Sequence, residues 1–315
     1  MQHKASKYSV YNITILSEMS LPELTRSKKN ADIIVSISQN EFDHWRRDER
    51  RSFGVYNNQA ALISFKDIAT FSVREGKEVV VSSNPNIDSR VVRMFFHGVV
   101  TAILLYQRGL LVLHGSCMDI HGKAVGFLGE SGSGKSTMAA GMHQRGYHIL
   151  SEDIVAIDYC KGRYITWCGI PQLKLSTDVV SYLNYPAHLF ESLYPLSNES
   201  IYRCKQKISS DCVNVECIFV LKEGEQINIR PLSYRDSFAE LIKNSYVYKI
   251  IEKTDGWSSH FAFITQLLKK VPVCILERPR DLKLLPDISR KVEEFLMGLP
   301  SVSDERTMVN GFSNQ

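Results

Sequence analysis

The sequence has no CxxC pair. Its seven cysteines (Cys117, Cys160, Cys168, Cys204, Cys212, Cys217 and Cys274) stand apart and are odd in number. Neither a disulfide framework nor a zinc site is supported, which leaves small buried hydrophobes in a reducing compartment. No lysine- and arginine-rich block with interleaved aromatics occurs either. The run Arg46-Arg47-Asp48-Glu49-Arg50-Arg51 is mixed in sign and reads as a solvated helix face. A net charge of +4 is mild; it suits an acidic ligand and does not suggest a nucleic-acid binder. Long apolar runs are missing too. The greasiest stretch, Met94 to Leu105, is broken by His97 and Gly98 and is too short for a membrane span. Met1 to Lys7 leads into a strand-like pattern without a signal-peptide apolar region. The expectation is a cytoplasmic protein with no membrane and no nucleic-acid partner, and no internal repeat is visible.

What is present is an ordinary globular composition, 44% apolar and 23% charged, over 315 residues. That length has room for about two domains. The sharpest feature is Gly129-Glu130-Ser131-Gly132-Ser133-Gly134-Lys135-Ser136-Thr137, which meets the G-x-x-x-x-G-K-[ST] pattern. An apolar strand-like run, Ala124 to Leu128, precedes it and a helix-like run, Thr137 to Arg145, follows. Strand, glycine loop and helix let backbone N–H groups converge on phosphate. Lys135 adds a charge for the outer phosphates, and the Ser136 hydroxyl is placed to ligate Mg²⁺. Gly129, Ser131, Gly132, Ser133, Gly134, Lys135, Ser136 and Thr137 are therefore the expected nucleotide-binding set, with ATP and Mg²⁺ as ligands.

The spacing of hydrophobes organises the rest. Strands are expected at Tyr8 to Leu16, Ala31 to Ile37, Ala60 to Phe65 and Glu78 to Ser82, forming a small strand-rich N-terminal domain over 1–88. It carries no catalytic constellation and is expected to recognise a partner or brace the remainder. Ser89 to Gln107 reads as one amphipathic helix ended by Gly109. Leu110 to Ile120 and Ala124 to Leu128 are strands joined by a tight turn at His121-Gly122-Lys123. Further strands fall at Tyr147 to Leu150, Ile154 to Tyr159, Arg163 to Trp167, Val215 to Leu221, Ile227 to Pro231 and Val271 to Leu276. Helices fall at Tyr234 to Asn244, Ser259 to Lys270 and Ile288 to Met297. The expected fold is α/β over 89–300, one phosphate-loop unit mixed with antiparallel strands rather than regular βαβ repeats. Residues 301–315 read as a polar, frayed tail.

Phosphate binding alone does not define a reaction. Ser151-Glu152-Asp153 follows the strand after the loop helix. If that strand runs parallel to the pre-loop strand, both end on one sheet edge and the acidic pair lies beside the phosphates. One carboxylate can hold Mg²⁺ and the other can orient or deprotonate an attacking hydroxyl. The residues leave open which does which; Glu152 and Ser136 form the expected metal pair. His114 lies on the strand that precedes, and is expected to pair with, the pre-loop strand, which aims its imidazole at the pair or the nucleophile. Lys174 is an additional cation for charge in the transition state.

The series Leu113-His114-Gly115-Ser116, Gly129 to Ser136 and Leu150-Ser151-Glu152-Asp153 resembles the HPr kinase/phosphorylase-like serine kinases, whose core is related to phosphoenolpyruvate carboxykinase. The likeness also takes in Gln107-Arg108-Gly109-Leu110-Leu111 and the stretch from Pro272 to Leu282. It runs in layout over roughly 8 to 297 and is sharp from His114 to Asp153. The resemblance implies a P-loop kinase core with a mixed sheet, Gly134, Lys135 and Ser136 holding ATP and Mg²⁺, and Asp153 or Glu152 activating an acceptor serine with His114 near that exchange. It implies a peptide or small-protein substrate and a homo-oligomer, since such relatives are often hexameric. One branch accompanies lasso-peptide genes and phosphorylates the C-terminal serine of the precursor. Two departures stand out. The family's paired aspartates are Glu152-Asp153 here, and its later glycine- and arginine-bearing signature is not recognisable, which argues against dephosphorylation and against HPr itself. A kinase of HPr or of a small hydroxyl compound such as free serine, and a non-catalytic ATP-sensing module, stay as alternatives.

Overall fold

A computed structural model describes residues 4–38, 51–57, 59–192, 199–204, 211–246, 248 and 256–299, with side chains described outside 51–57 and Ala187. The mixed-sign run at 46–51 and the polar tail at 301–315 lie outside the residues or side chains described. The protein is mixed α/β, built from three sheets and seven α-helices among the described residues.

The first sheet contains β1 (Ser6–Val10), β2 (Ile13–Ser17), β3 (Thr25–Arg26), β4 (Ile33–Ile37), β5 (Arg51–Asn57), β6 (Ala60–Phe65), β7 (Ala69–Arg74) and β8 (Glu78–Ser83), in the order β3-β1-β2-β4-β8-β7-β6-β5. Tyr8 to Leu16, expected as one strand, is a hairpin: β1 and β2 pair antiparallel and turn at Tyr11-Asn12. Both turn residues have positive φ, 49° and 56°. A two-residue turn of that hand is normally announced by glycine. Tyr11 accepts it because its ring is buried, its N–H donates to the Cys168 carbonyl and its hydroxyl donates to the Ile154 carbonyl. Those tertiary contacts are invisible in the local sequence.

The apolar stretch after β8 is helical from Ser89 to Gln107 but is not one regular helix. It comprises α1 (Ser89–Phe95), a π-helical turn over Phe96–Val100 and α2 (Thr101–Gln107). Gly98 departs from helical angles there, and the Phe96 carbonyl accepts both the Thr101 N–H and, at 2.7 Å, the Thr101 hydroxyl. By length and composition the 19-residue segment could cross a membrane, yet Phe96, Val100, Ile103, Leu104 and Leu105 are buried in the core. It packs on β6, β7 and β8 through Phe65, Phe71, Val79 and Val81, in a cluster that also takes in Val112, Ile154 and Ala156. Burying each large side chain is worth about 1.5–3 kcal/mol, which outweighs one irregular turn. Interruption by His97 and Gly98, noted in the sequence, marks where the helix bends.

The second sheet holds β9 (Leu111–Ile120), β10 (Lys123–Leu128), β11 (His148–Ser151), β12 (Ile154–Cys160), β13 (Arg163–Trp167), β17 (Cys212–Glu223), β18 (Asn228–Pro231) and β19 (Val273–Arg278). β10 pairs antiparallel with β9 and parallel with β17, and the pairings β10–β9–β12–β13–β17–β10 close a ring. β11 and β10 both run antiparallel to β9, so they share a direction. The loop after β10 and the turn after β11 consequently open on one edge, the arrangement the acidic-pair argument required. A third, antiparallel sheet of β14 (Gln172–Ser176), β15 (Phe190–Ser192) and β16 (Glu199–Arg203) was not foreseen; its order is β14-β16-β15. β14 places Lys174.

The remaining helices are α3 (Lys135–Gln144), α4 (Thr177–Tyr182), α5 (Tyr234–Lys243), α6 (Trp257–Leu267) and α7 (Leu285–Met297). α3 and α7 pack together over β10 and β19. α7 contributes Leu285, Ile288, Val292 and Leu296, the spacing of one helical face.

Candidate active site

The glycine loop leaves β10 at Leu128 and enters α3 at Lys135, wrapping at Gly129, Gly132 and Gly134, all with positive φ. At Gly134 a side chain would also be blocked: its Cβ would stand 2.6 Å from the Arg278 guanidinium. That guanidinium, at the end of β19, donates to the Ser133 carbonyl. The Ser133 Oγ is buried without a hydrogen-bond partner among the described residues, an orphan donor inside the cradle. Ser131 is exposed at the loop and Thr137 half-buried on the first turn of α3. Lys135 Nζ donates to the carbonyls of Gly129 and Glu130 at 2.9 and 3.0 Å. Burial lowers its pKa, while Asp153 and Glu152 pull the other way.

Glu152 and Asp153 follow β11, and the turn sets them to different surroundings. Glu152 is buried. Its Oε1 accepts from the Ser136 hydroxyl at 2.5 Å and its Oε2 from the Ser116 hydroxyl at 3.4 Å. Burial raises its pKa to about 7, against the lowering effect of Ser136 and of the nearby Lys174. Asp153 is only partly covered and adopts φ 76°, a left-handed conformation that aspartate tolerates better than most residues. Its Oδ1 lies 3.1 Å from His114 Nδ1, and its Oδ2 lies 3.5 Å from Lys174 Nζ and 3.4 Å from the Tyr246 hydroxyl. Burial would raise its pKa, but the Lys174 ammonium and then His114 outweigh it and hold the carboxyl well below the usual range. His114 Nδ1 also lies 3.2 Å from the Asp153 carbonyl, so acceptors alone face this nitrogen.

Thus His114, Lys135, Ser136, Glu152, Asp153 and Lys174 converge in space. Four further residues support them without having been singled out. Asn244, closing α5, accepts from the Gly129 N–H through its Oδ1 at 3.1 Å and from the His114 N–H through its carbonyl at 2.8 Å. Tyr246 stands edge-on to His114 with ring centroids 5.4 Å apart and donates to Asp153. Ser116 and Arg278 act as described above. Arg278 lay within the Pro272 to Leu282 stretch of the sequence; nothing local marked Asn244 or Tyr246, which reach the site only through the fold.

The donor set suits a magnesium–phosphate ligand: a hydroxyl and a carboxylate, rather than nitrogen or sulfur, beside a loop of N–H groups. Among the described residues there is no cluster of three His, Cys, Asp or Glu that could hold a metal unaided. An ion here would complete its shell with oxygens from its ligand or from water.

No protein-family model matches the chain. Over 73 residues it is 32% identical to the HPr kinase/phosphorylase of Chlorobium phaeobacteroides (strain BS1), a stretch that is 23% of this chain and 20% of that protein. A solved structure, the Hpr(Ser) kinase/phosphatase from Coxiella burnetii, aligns over 62% of this chain and 98% of that one at 11% identity, with a TM-score of 0.31. That superposition is too loose to argue from. The resemblance read from the motifs is thus met by a sequence match to an HPr kinase/phosphorylase, limited to about a fifth of that relative's length. Nothing in the match reaches the lasso-peptide branch.

Proposed function

We propose that the chain is an ATP- and Mg²⁺-dependent kinase that transfers the γ-phosphate to a serine hydroxyl of a peptide or small protein, with the C-terminal serine of a lasso-peptide precursor as the favoured acceptor. The observation that carries this reading is the division between the two carboxylates. Glu152 is buried against the Ser136 hydroxyl of the glycine loop, whereas Asp153 is partly open and held by His114, Lys174 and Tyr246.

On this reading Ser136 and Glu152 would hold Mg²⁺, which neutralises charge on the phosphates. The N–H groups of 131–136 and Lys135 would cradle the phosphate oxygens once Lys135 leaves the Gly129 and Glu130 carbonyls. Asp153, ionised at neutral pH, accepts a hydrogen bond from the serine hydroxyl, aims its oxygen along the line of attack and takes its proton as the new P–O bond forms and the γ-phosphorus bond to the bridging oxygen breaks, releasing ADP. A loose phosphoryl-transfer transition state asks for positioning more than for a strong base, so a carboxylate of low pKa suffices. Tyr246, His114 and Lys174 fix that carboxylate, and Lys174 adds positive charge near the exchange. All seven cysteines are free, which fits work in the reducing cytoplasm.

The test is incubation with Mg²⁺, γ-labelled ATP and a serine-ending precursor-like peptide, followed by peptide mass. One added phosphate, lost when that serine is alanine, is the expected result. No transfer to the peptide but transfer to HPr or to free serine would change the acceptor. ATP binding without transfer to any of them would favour the sensing module. Lys135→Ala should reduce both nucleotide affinity and rate; unchanged kinetics would refute the loop assignment.

A further inference from the structure

A second cavity meets the site at Lys174. It offers about 50 Å³ of space, and its walls come from three places in the fold: Glu23 after β2, Arg93 and His97 on the bent helix, and Lys174, Glu191 and Arg203 on the third sheet. It is separate from the cavity beside the glycine loop, which is lined by Ser133, Gly134 and Arg278. The bend at Gly98 brings this cavity to the acidic pair: a Cβ on Gly98 would stand 3.0 Å from the Tyr246 hydroxyl and 3.5 Å from Asp153 Oδ2.

The cavity has more donors than acceptors. The Glu23 carboxylate alone serves Arg93 Nε at 2.8 Å, His97 Nε2 at 3.1 Å and Arg203 Nη2 at 3.5 Å. Arg203 is the least satisfied of these. Its Nη2 also lies 3.6 Å from the largely exposed Glu191, and neither distance is that of a charge-assisted hydrogen bond. Its Nε is buried with no hydrogen-bond partner among the described residues. A guanidinium offers five N–H groups in a planar fork that matches a carboxylate.

We propose that this cavity binds a carboxylate of the acceptor close to the hydroxyl that is phosphorylated, with Arg203 as its main partner and Lys174 spanning the carboxylate pocket and Asp153. This rests on the kinase reading and narrows its substrate class to hydroxyl acceptors carrying an adjacent anion. The anion can come from a peptide C-terminus or from an acidic side chain following the serine.

Two peptide pairs test this: a serine-ending peptide as free acid and as C-terminal amide, and an internal-serine peptide followed by Asp or by Asn. For wild-type protein, kcat/KM for the anionic member of at least one pair should exceed its neutral partner by about tenfold or more. The responding pair identifies the source of the carboxylate. Arg203→Gln should erase that preference mainly through KM for the peptide, leaving KM for ATP unchanged, and Arg203→Lys should restore part of it. Equal kinetics for both members of both pairs, or a preference that survives in Arg203→Gln, would overturn the proposal. Tm of each variant guards against misfolding. Should no acceptor be phosphorylated, binding of the same fluorescently tagged peptides beside a non-hydrolysable ATP analogue still decides. Acid-selective, Arg203-dependent binding supports the cavity and sinks the kinase reading; unselective binding overturns the cavity.

Discussion

Two adjacent carboxyl groups with opposite pKa displacements stand at the middle of the candidate site. Glu152 is raised by burial to about 7, whereas Lys174 and His114 keep Asp153 ionised despite its own burial. Asp153→Asn should leave nucleotide affinity intact and lower transfer about 10²–10⁴-fold, measured by single-turnover phosphate transfer; full turnover would remove Asp153 from the exchange. Glu152 gives a pH signature. Its folded pKa lies above the ordinary 4.5, so the stability linked to its proton is complete below about pH 4.5 and is lost as pH rises through about 7. In the absence of Mg²⁺, Glu152→Gln should therefore melt above wild type at about pH 8 and close to it at about pH 4. With Mg²⁺ and nucleotide the order reverses. Wild-type affinity should climb between about pH 6 and pH 8 as the proton is displaced, and the glutamine variant should stay flat.

Among the elements, the bent helix couples packing to the site. Ala at Gly98 would press its Cβ on the Tyr246 hydroxyl, so Gly98→Ala should cost about tenfold in turnover with little change in nucleotide affinity. An unaltered kcat would show that Tyr246 yields without moving Asp153. This element also shows how far the sequence could be read. The glycine loop, the two strands that flank it in the sheet and the acidic turn were legible because each has a local signature: fixed glycine spacing, apolar runs and a turn. The bend was legible only as an interruption at His97 and Gly98, since apolar spacing cannot distinguish a regular helix from one with a π-helical turn. The Tyr11-Asn12 turn carried no glycine to declare it, and the alternation of Gln172-Leu173-Lys174-Leu175-Ser176 is only five residues long, too short a run to stand out between Pro171 and the helix that follows. Asn244 and Tyr246 lie more than ninety residues from the groups they hold, and only the fold joins them.

At the scale of the whole molecule, the N-terminal sheet and the phosphate-loop half share one buried cluster that runs from Tyr8 and Phe71 through the bent helix to Ile154 and Ala156. Thermal unfolding should accordingly show a single cooperative transition by fluorescence and circular dichroism alike; two separated transitions would contradict the shared core. Tyr11→Ala should lower stability by about 3–5 kcal/mol, read from denaturant midpoints. It should depress transfer as well, because the Tyr11 hydroxyl holds the carbonyl of the residue after Asp153.

Glu23 belongs to the N-terminal sheet region, yet it organises the cations of the second cavity, while every residue of the proposed phosphate-binding loop and acidic pair comes from beyond residue 110. On the proposed reading the acceptor pocket draws on both halves of the chain, Glu23 and Arg93 from before residue 110 and Lys174 and Arg203 from after it, whereas transfer draws on one. If the chain transfers phosphate as proposed, drift around Glu23 and Arg93 would retune the acceptor while leaving the glycine loop and acidic pair as they are. The same separation offers a place to begin redirecting the protein toward new acceptors.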